Sequence, residues 1–316
     1  MTSRSCCTPR RDGSALAEGM VSAPTVQSVG AHAPDCVAVP GGRALVGTKK
    51  PLLVADGEGP LVIQRVRDLW WERGAISIGQ FRRFVEATGH TTLAERYGWS
   101  FVFHTHVPGG AEGTLGIEGL EWWRRIDGAN WQYPTGPEGS QGNDDMPATH
   151  IALADAEAFA AWAGGRLPSE AEWEHAARGG LGDVPYPWGD EEPDDIGFFP
   201  CNIWQGRFPD QDTARDGYAG PAPVTSLTAN GYGLHHMVGN VWEWTAAPFR
   251  LRSSTSAARK RNREMRGLHL LKGGSFLCHR SYCHRYRIAA RTGNTPDSTS
   301  EHTGFRVVYD QPPHAG

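Results

Sequence analysis

The sequence has no long apolar run and no marked excess of charge of either sign. Its 316 residues carry 31 Lys and Arg against 35 Asp and Glu, a formal net charge of -4. This balance provides no basic surface of the kind that binds nucleic acid. No apolar run follows a basic start, so we expect no secretory signal peptide, and nothing is long enough to span a membrane. We therefore expect a cytoplasmic protein with neither a nucleic-acid nor a membrane partner.

Cysteine and the common cofactor motifs are also scarce. The six cysteines are too few and too scattered for the disulfide framework of a small secreted domain. The chain has no GxGxxG unit, no P-loop and no haem-attachment C-x-x-C-H motif. A nucleotide or haem cofactor therefore has no evident site. The cysteines are Cys6, Cys7, Cys36, Cys201, Cys278 and Cys283.

Glycine, proline and tryptophan are abundant instead. The 40 glycines and 22 prolines predict much irregular structure, since both residues interrupt helices and strands. The 12 tryptophans can still bury enough area to form a core in a loop-rich chain. No obvious linker divides the chain, so we expect one domain rather than two.

Three helices can be predicted from their ends. Ser77 and Gln80 form a capping box, which is typical of a helix start, and Ser169 and Glu172 repeat it. Glycines follow each helix and end it. Glu170 and Glu172 are explained by the N-terminus of the third helix rather than by catalysis. The predicted helices span residues 77–89, 155–163 and 169–179, and short strands are predicted at 37–39, 268–271 and 306–308.

Two polar segments lack any periodic pattern. Residues 1–36 are predicted to form a disordered N-terminal tail. Within this tail, Cys6 and Cys7 are either an unstructured pair or a redox or metal-binding handle. Residues 250–266 are rich in Arg, Lys and Ser and are predicted to form a mobile surface loop, with steering of a substrate chain as the alternative.

The most informative segment spans residues 272–287 and reads KGGSFLCHRSYCHRYR. Cys278 and Cys283 lie among several His, Arg and Tyr residues, and nearby cations tend to lower the pKa of a thiol. A thiolate is both a nucleophile and a ligand for soft metals. The C-x4-C spacing matches neither a zinc knuckle nor a thioredoxin motif. From spacing alone, two reduced cysteines packed in a core are the alternative.

The residues around this pair resemble the active-site stretch of the formylglycine-generating enzymes, copper-dependent oxidases that convert a sulfatase cysteine to formylglycine. The resemblance extends in the same order over about residues 38–310. It implies an α+β fold: a single compact domain over residues 37–312, low in regular secondary structure, of the sulfatase-modifying factor or C-type-lectin-like type. The further matching blocks are residues 97–103, 166–174, 201–206, 239–244, 294–298 and 304–306.

The resemblance also implies the chemistry. Cys278 and Cys283 would bind Cu(I), an ion that accepts two thiolates readily, and a substrate cysteine would join them as third ligand. The substrate would be a C-x-P-x-R motif in an unfolded or nascent sulfatase, converted to Cα-formylglycine with O2 and a thiol reductant. A cofactor is needed because no side chain removes hydrogen from a cysteine CH2 unaided.

Roles for neighbouring residues follow from the same resemblance. Ser275 and Trp242 would border the oxygen pocket, and Tyr282 would be a hydrogen-bonding group beside it. Core packing is the alternative for Trp242 and Tyr282.

Three basic residues of the segment, His279, Arg285 and Arg287, are candidates for substrate binding. They would hold the peptide backbone or poise the thiolates. Ion pairing with the many acids of the chain is the alternative for the two arginines. We expect the protein to be a monomer.

Two oxygen-rich stretches resemble the structural calcium sites of the family. In the first, Asn202 and Asp216 would offer side-chain oxygens, while Ile203 and Tyr218 would offer backbone carbonyls. A hard cation such as Ca2+ prefers this mixture of ligands.

The second stretch departs from the pattern of the family. Glu243 and the carbonyls of Gly239 and Val241 match, but His236 stands where an oxygen-bearing side chain is normal. Imidazole is a poor calcium ligand, so this possible second site is expected to be weak, completed by water or absent.

Two other functions stay open at this point. The iron-dependent sulfoxide synthases of thiol-histidine biosynthesis belong to the same superfamily, but they normally add a His-rich helical domain, and no such domain fits in this chain. Non-catalytic, peptide-binding relatives characteristically lose the cysteine pair, whereas this chain keeps both cysteines. A formylglycine-generating oxidoreductase that acts on a sulfur group with O2 as acceptor is therefore the leading hypothesis.

Overall fold

The computed structural model describes residues 8–11 and 34–313. In these residues, short strands form several small sheets, and helices lie among long irregular loops. The strands are β1 (Cys36–Val39), β2 (Gly42–Val46), β3 (Val62–Val66), β4 (Leu69–Glu72), β5 (Trp99–Phe103), β6 (Leu115–Ile117), β7 (Leu120–Asp127), β8 (Gly206–Arg207), β9 (Gln211–Asp212), β10 (Trp242–Pro248), β11 (His269–Lys272), β12 (Thr292–Asn294), β13 (Thr303–Phe305) and β14 (Val308–Tyr309). The helices are α1 (Ile78–Thr88), α2 (Leu93–Tyr97), α3 (Leu153–Trp162), α4 (Glu170–Arg178) and α5 (Ser256–Glu264), with short 3-10 turns at Val54–Asp56 and His104–His106. None of the helices in the described ranges has the length and apolar character needed to cross a membrane.

Both predicted capping boxes are present. The Ser77 side chain accepts a hydrogen bond from Gln80 N, the Gln80 side chain accepts one from Ser77 N, and α1 ends at Gly89 with φ 66°. At α4, Ser169 and Glu172 form the same reciprocal pair. These local signals predict the helix starts because each box satisfies two amide groups that a first turn leaves unpaired.

Other helical predictions differ from the structure. Helix α3 begins at Leu153, earlier than predicted, because the Asp155 carboxylate accepts a hydrogen bond from Ala152 N and so acts inside the first turn. Residues 250–266, predicted to form a loop, contain α5, which is capped by Thr255. Helix α2 was not predicted, although it too begins with a capping box.

A four-stranded sheet with the order β12-β11-β10-β13 contributes to the largest core cluster. Strand β10 runs antiparallel to β11 and parallel to β13. Trp242, Trp244, Leu271 and Phe305 project from this sheet into the core. Phe305 packs edge-on against Phe159 of α3, with 5.3 Å between ring centroids. The predicted α+β domain with little regular structure is confirmed.

Two of the three predicted strands are confirmed as β1 and β11, with ends shifted by a residue. Residues 306–308 do not form one strand, since β13 ends at Phe305 and β14 begins at Val308. Between them, the Arg306 side chain enters the interior and donates to both carboxylate oxygens of Glu243.

A buried carboxylate joins α4 to this sheet. The Glu174 side chain is fully buried and lies 2.9 Å from Lys272 Nζ on β11 and 3.1 Å from Arg252 Nη2. It also accepts a hydrogen bond from Gly47 N at 2.7 Å. Burial raises the pKa of Glu174, but the charges of Lys272 and Arg252 outweigh burial and hold the pKa below its ordinary value. Glu174 is therefore ionised in the core, where it pairs with Lys272 and shares Arg252 with Glu170.

Glu174→Ala is expected to lower the free energy of unfolding by about 3–5 kcal/mol, since it leaves Lys272 buried without its anion. Glu157→Ala, on the exposed face of α3, is the control and should change this free energy by less than about 0.5 kcal/mol. Urea unfolding followed by circular dichroism measures both values. Equal stability of the two variants would contradict the role of Glu174.

Candidate active site

The segment between β11 and β12 turns back on itself at two glycines. Gly273 and Gly274 have φ values of 97° and 77°, a region that favours glycine. A Cβ on Gly274 would lie 2.9 Å from Arg285 O and 3.0 Å from Tyr286 N. Only glycine therefore permits the two ends of this segment to approach each other.

The two cysteines meet inside this segment. Cys278 N donates to Ser275 O at 2.9 Å, and Cys283 N donates to His279 O at 2.7 Å. The two Sγ atoms lie 3.4 Å apart, and each cysteine is only 1% exposed. The structure thus brings the predicted pair together in a buried position.

The two sulfurs differ in their partners. Cys278 Sγ accepts a hydrogen bond from Ser275 N at 3.4 Å. Cys283 is disulfide-bonded. Arg285 Nη1 lies 3.6 Å from Cys283 Sγ, and a nearby guanidinium favours a thiolate. The sulfurs become a pair of metal-binding thiolates only after this disulfide is reduced.

A small cavity lies beside Cys278. Its volume is about 10 Å³, close to the space that one water molecule needs. Ser275, Trp123, Tyr282 and His302 contribute to its wall. The cavity therefore has room for a molecule of only a few atoms.

Two wall residues that were not predicted from the sequence carry unsatisfied nitrogens. Neither His302 Nε2 nor Trp123 Nε1 has a hydrogen-bond partner within the described ranges. His302 Nδ1 lies 3.5 Å from Ser275 Oγ, and its ring meets Trp123 edge-on with 4.6 Å between centroids. Burial lowers the pKa of His302 to about 3, so its ring is neutral at neutral pH. Both nitrogens could form a hydrogen bond with a small molecule in the cavity.

Trp242 does not line this cavity. It is buried in the core cluster that also contains Cys278 and Cys283, so core packing describes its position. Tyr282 does lie at the cavity wall and stacks on Phe208, with 4.1 Å between ring centroids. Of these two predicted site residues, Tyr282 lies at the cavity and Trp242 lies in the core.

His279 and Arg285 contact acids of the protein itself. His279 Nε2 lies 3.3 Å from Asp195 Oδ2, and Arg285 Nη2 lies 2.7 Å from Asp56 Oδ2. The ion-pairing alternative therefore describes Arg285, whose guanidinium also faces Cys283.

Arg287 is bound to a fully buried acid. Its Nη groups donate to the two carboxylate oxygens of Glu58. Leu52 N and Leu53 N donate to the same carboxylate at 2.8 and 2.9 Å. Burial raises the pKa of Glu58, but Arg287 and the two amides outweigh burial and hold it below its ordinary value. Arg287 therefore fastens the end of the cysteine segment to a loop between β2 and β3.

The first predicted calcium set contains unsatisfied buried oxygens. Asn202 Oδ1 and Asp216 Oδ2 have no hydrogen-bond partner among the residues that the structure describes. Asp212 Oδ2, which was not predicted, is a third such oxygen, and its carboxylate interacts electrostatically with Asp216. Ile203 O accepts a side-chain hydrogen bond, and Tyr218 N donates to Asp216 Oδ1. Unsatisfied oxygens of this kind fit a hard cation.

The second predicted calcium set does not fit a cation. Both oxygens of Glu243 accept hydrogen bonds from Arg306, and Oε2 also accepts one from Trp173 Nε1 at 2.8 Å. His236 Nε2 lies 3.0 Å from Ser226 Oγ, and burial lowers the pKa of His236 to about 3. The carboxylate thus already has its cation, which is Arg306. The two predicted carbonyl donors, also buried, are Gly239 and Val241.

Four residues of the predicted tail pack against the domain. Thr8, Pro9 and Arg11 are buried, and Pro9 O accepts a hydrogen bond from Asn294 Nδ2 at 3.2 Å. For residues 8–11 the structure therefore differs from the predicted disordered tail, because side chains far along the sequence hold them. The Cys6–Cys7 pair and residues 12–33 lie outside the described residues.

The Sulfatase-modifying factor enzyme 1-like domain matches residues 22–311 of this chain. The chain belongs to this family. A formylglycine-generating enzyme of Thermomonospora curvata is 47% identical over 311 residues, 96% of this chain and 97% of that protein. PvdO of Pseudomonas aeruginosa shares the fold, with a TM-score of 0.60 and 22% identity over 87% of this chain and 94% of the other. The family and the fold that the sequence implies are both confirmed.

Membership of the sulfatase-modifying factor family does not by itself decide activity. An inactive C-alpha-formylglycine-generating enzyme 2 of Mus musculus is 39% identical over 296 residues, 92% of this chain and 90% of that protein. The geometry of the cysteine segment therefore has to distinguish an enzyme from a non-catalytic member.

Glu58→Gln is expected to lower the free energy of unfolding by about 3 kcal/mol at neutral pH, because Arg287 loses its buried anion. The folded-state pKa of Glu58 lies below its ordinary value of 4.5. Its contribution to stability is therefore complete above that pH and is lost as pH falls through the folded-state pKa. The difference between wild type and variant should shrink toward low pH.

Thermal unfolding over a series of neutral to acidic buffers measures this difference, with Glu86→Gln at an exposed site of α1 as the control. A difference that stays constant down to strongly acidic pH would rule out the Glu58–Arg287 pair as its source.

Proposed function

We propose that this protein oxidises a cysteine in a C-x-P-x-R motif of an unfolded or nascent sulfatase to Cα-formylglycine. The observation that carries this function is the pair of sulfurs of Cys278 and Cys283, 3.4 Å apart. The 47% identity to a formylglycine-generating enzyme supports it. The client CH2–SH group reacts with O2 and two reductant thiols. It becomes an aldehyde, and hydrogen sulfide, water and the disulfide of the reductant are released.

Cys278 and Cys283 would hold one Cu(I), because two adjacent thiolates suit a soft ion of low coordination number. When bound, the ion supplies the redox chemistry that no side chain provides. Arg285 favours the thiolate form of Cys283, and the hydrogen bond from Ser275 N orients Cys278 Sγ. The same thiol reductant that the reaction consumes opens the disulfide at Cys283.

The cavity beside Cys278 is the proposed place for O2. Trp123 and Tyr282 give it an aromatic wall. Ser275 and His302 add the polar groups. With a pKa of about 3, His302 is a hydrogen-bonding group rather than a base at neutral pH.

The client must be extended, which favours an unfolded or nascent chain. Its thiol has to come within bonding distance of two cysteines that are each 1% exposed. A cysteine already buried in a folded sulfatase could not approach these two cysteines. The reaction requires this close approach of the client thiol before any other factor matters. We keep the expectation of a monomeric, cytoplasmic enzyme as part of this proposal.

A non-catalytic, peptide-binding member of the family is the rival function. Such a protein needs a groove, but it does not need two adjacent sulfurs with a small cavity beside them. Cys278 and Cys283 have both features, so the enzyme is the better supported function.

Reduced wild-type protein is expected to bind about one Cu(I), and Cys278→Ser or Cys283→Ser should abolish both this binding and turnover. Cys36→Ser, at a free cysteine of β1, is the matched control and should retain both. Anaerobic Cu(I) titration measures binding. Mass spectrometry of a Cys-x-Pro-x-Arg peptide after aerobic incubation measures turnover. Normal oxidase activity in both active-site variants would overturn the proposed function.

We also propose that one structural Ca2+ binds Asn202, Asp216 and the carbonyls of Ile203 and Tyr218. Asp216→Ala should remove most of the stabilisation by calcium, about 2.7 kcal/mol at a hundredfold excess over Kd. Asp210→Ala, at a nearby exposed position, should retain it. Scanning fluorimetry with Ca2+ and with chelator measures Tm. A wild-type Tm that neither addition changes would remove the site.

A further inference from the structure

The buried N-terminal residues belong to a motif that matches the proposed client. Residues 7–11 read C-T-P-R-R, which is the C-x-P-x-R pattern with Thr8 and Arg10 at its variable positions. The structure describes the last four of these five residues. Their contacts can be compared with what a client peptide would need.

Thr8 and Pro9 are buried, and Pro9 binds residues of the segment 293–299. Thr8 is 1% exposed. Pro9 O accepts hydrogen bonds from Asn294 Nδ2 at 3.2 Å and from Ser298 Oγ. Both donors belong to the protein's side chains and bind the backbone of the segment. Such contacts hold an extended peptide whatever its variable side chains are.

Arg11 occupies a site built for a guanidinium. Its Nη2 donates to Trp99 O at 2.8 Å and to Thr299 Oγ1 at 2.6 Å, and its Nε donates to Asp297 O at 3.2 Å. The rings of Tyr97 and Trp99 lie 4.0 and 3.9 Å from its Cζ. One edge and the face of a planar cation are thus recognised together, which a lysine could not match, while Arg11 Nη1 has no hydrogen-bond partner among the described residues.

The two arginines of the segment have different surroundings. Arg11, at the fixed position of the motif, is 6% exposed, whereas Arg10, at a variable position, is exposed. Burial lowers the pKa of Arg11 to about 10, so the guanidinium stays charged at neutral pH. Arg10 donates one hydrogen bond, to Gly293 O at 3.2 Å, so the arginine that the motif requires is the more deeply buried of the two.

The segment that binds residues 8–11 is close in sequence to a residue of the active site. Residues 293–299 are followed by His302, whose ring lines the cavity beside Cys278. Thr299 Oγ1, which receives Arg11, also shares a hydrogen bond with Ser100 Oγ at 2.7 Å. A peptide held here is therefore bound by a segment that continues to the cavity wall.

The cysteine chemistry points the same way. Cys7 directly precedes buried Thr8, and consecutive Cα atoms are about 3.8 Å apart. Cys283 is disulfide-bonded, and reduction of this disulfide leaves its sulfur open to a substrate thiol. The cysteine that directly precedes Thr8 in the sequence is the candidate for that thiol.

We propose that residues 7–11 are an internal substrate: residues 8–11 occupy the place of a client peptide on their own chain, and the enzyme converts its own Cys7 to formylglycine. Because this rests on the proposed function, it uses the same sulfur pair and cavity. It adds a client that the chain itself carries and that competes with sulfatase peptides.

The conversion balances in two steps. First, two reductant thiols open the disulfide at Cys283 and leave as their own disulfide, with two protein thiols formed. The CH2–SH group of Cys7 then reacts with O2 and two further reductant thiols. One Cβ–H bond and the Cβ–S bond break and a C=O bond forms, with hydrogen sulfide, water and the reductant disulfide released.

Covalent connection favours the internal segment over a free peptide. Residues 12–33 join it to the domain, and tethering of this kind gives an effective concentration of up to about millimolar. A sulfatase peptide at a lower concentration must therefore displace the segment before it binds. The apparent KM for clients is raised as a result.

Mass spectrometry of the N-terminal peptide tests the inference directly. Copper-loaded wild type, kept in air with a thiol reductant, is expected to lose one sulfur and two hydrogens and gain one oxygen at Cys7. Cys278→Ser should retain a thiol there. Cys6 is an internal control, since no proline follows it at the required spacing. A synthetic Cys-Thr-Pro-Arg-Arg peptide in the same sample reports whether the enzyme is active.

Isotope mixing distinguishes conversion within one chain from conversion between chains. Isotope-labelled Cys278→Ser is diluted together with unlabelled wild type under the same conditions. The labelled Cys7 is expected to stay a thiol while the unlabelled one is converted. Equal conversion of the two chains would overturn the internal arrangement.

Peptide binding to metal-free, reduced protein provides a readout that does not depend on turnover. A fluorescent Ser-Thr-Pro-Arg-Arg peptide is expected to bind Arg11→Ala about tenfold more tightly than wild type, because the internal segment competes less well. Arg11→Lys should give an intermediate gain. Arg4→Ala, which removes the same charge outside the motif, is the matched control and should behave like wild type. Equal affinity in all four proteins would overturn the inference.

The outcomes of these experiments test the internal substrate separately from the proposed function. Conversion of the synthetic peptide without conversion of Cys7 overturns the internal substrate and leaves the proposed function standing. Conversion of neither overturns both. Conversion of Cys7 that requires Cys278, together with tighter peptide binding by Arg11→Ala, supports the internal substrate.

Discussion

Buried carboxylates that neutralise buried cations hold this loop-rich chain together. Its strands and helices are short, so backbone ladders alone connect only small parts of the fold. Removal of one partner of a buried pair leaves an uncompensated charge, which costs several kcal/mol, and each pair therefore fixes one arrangement of the segments that it joins. Three such pairs among the described residues are Glu174 with Lys272, Glu243 with Arg306, and Glu58 with Arg287.

Two of these pairs hold the cysteine segment at its ends. Lys272 precedes the glycine turn and is bound to Glu174, while Arg287 follows the second cysteine and is bound to Glu58. Between these ends, the close approach at Gly274 brings the two sulfurs within 3.4 Å. A metal-binding and catalytic pair gains from such rigidity, because a small misplacement of reacting groups is costly. The two buried ion pairs thus hold the segment on which the proposed chemistry depends.

A feature could be predicted from the sequence when the residues that form it lie close together along the chain. The capping boxes at Ser77 and Ser169 are read within four residues, and both helix starts were predicted correctly. The cysteine pair and the family were evident from contiguous motifs. His302 and Trp123 were not predicted, since they come from distant segments and meet only in the fold. The C-x-P-x-R pattern at residues 7–11 can be found in the sequence. Only the burial of Arg11 indicates that the protein binds this segment as it would bind a client peptide.

By itself, the sequence determined the family, the main helix starts and the presence of two cysteines in a cationic segment, because these are properties of neighbouring residues. Only the tertiary structure decided that Glu243 pairs with Arg306. It also decided that Arg11 lies against Asp297, 286 positions further along the chain. Contacts at such separation depend on how all the intervening segments pack, and no local pattern in the sequence records that packing.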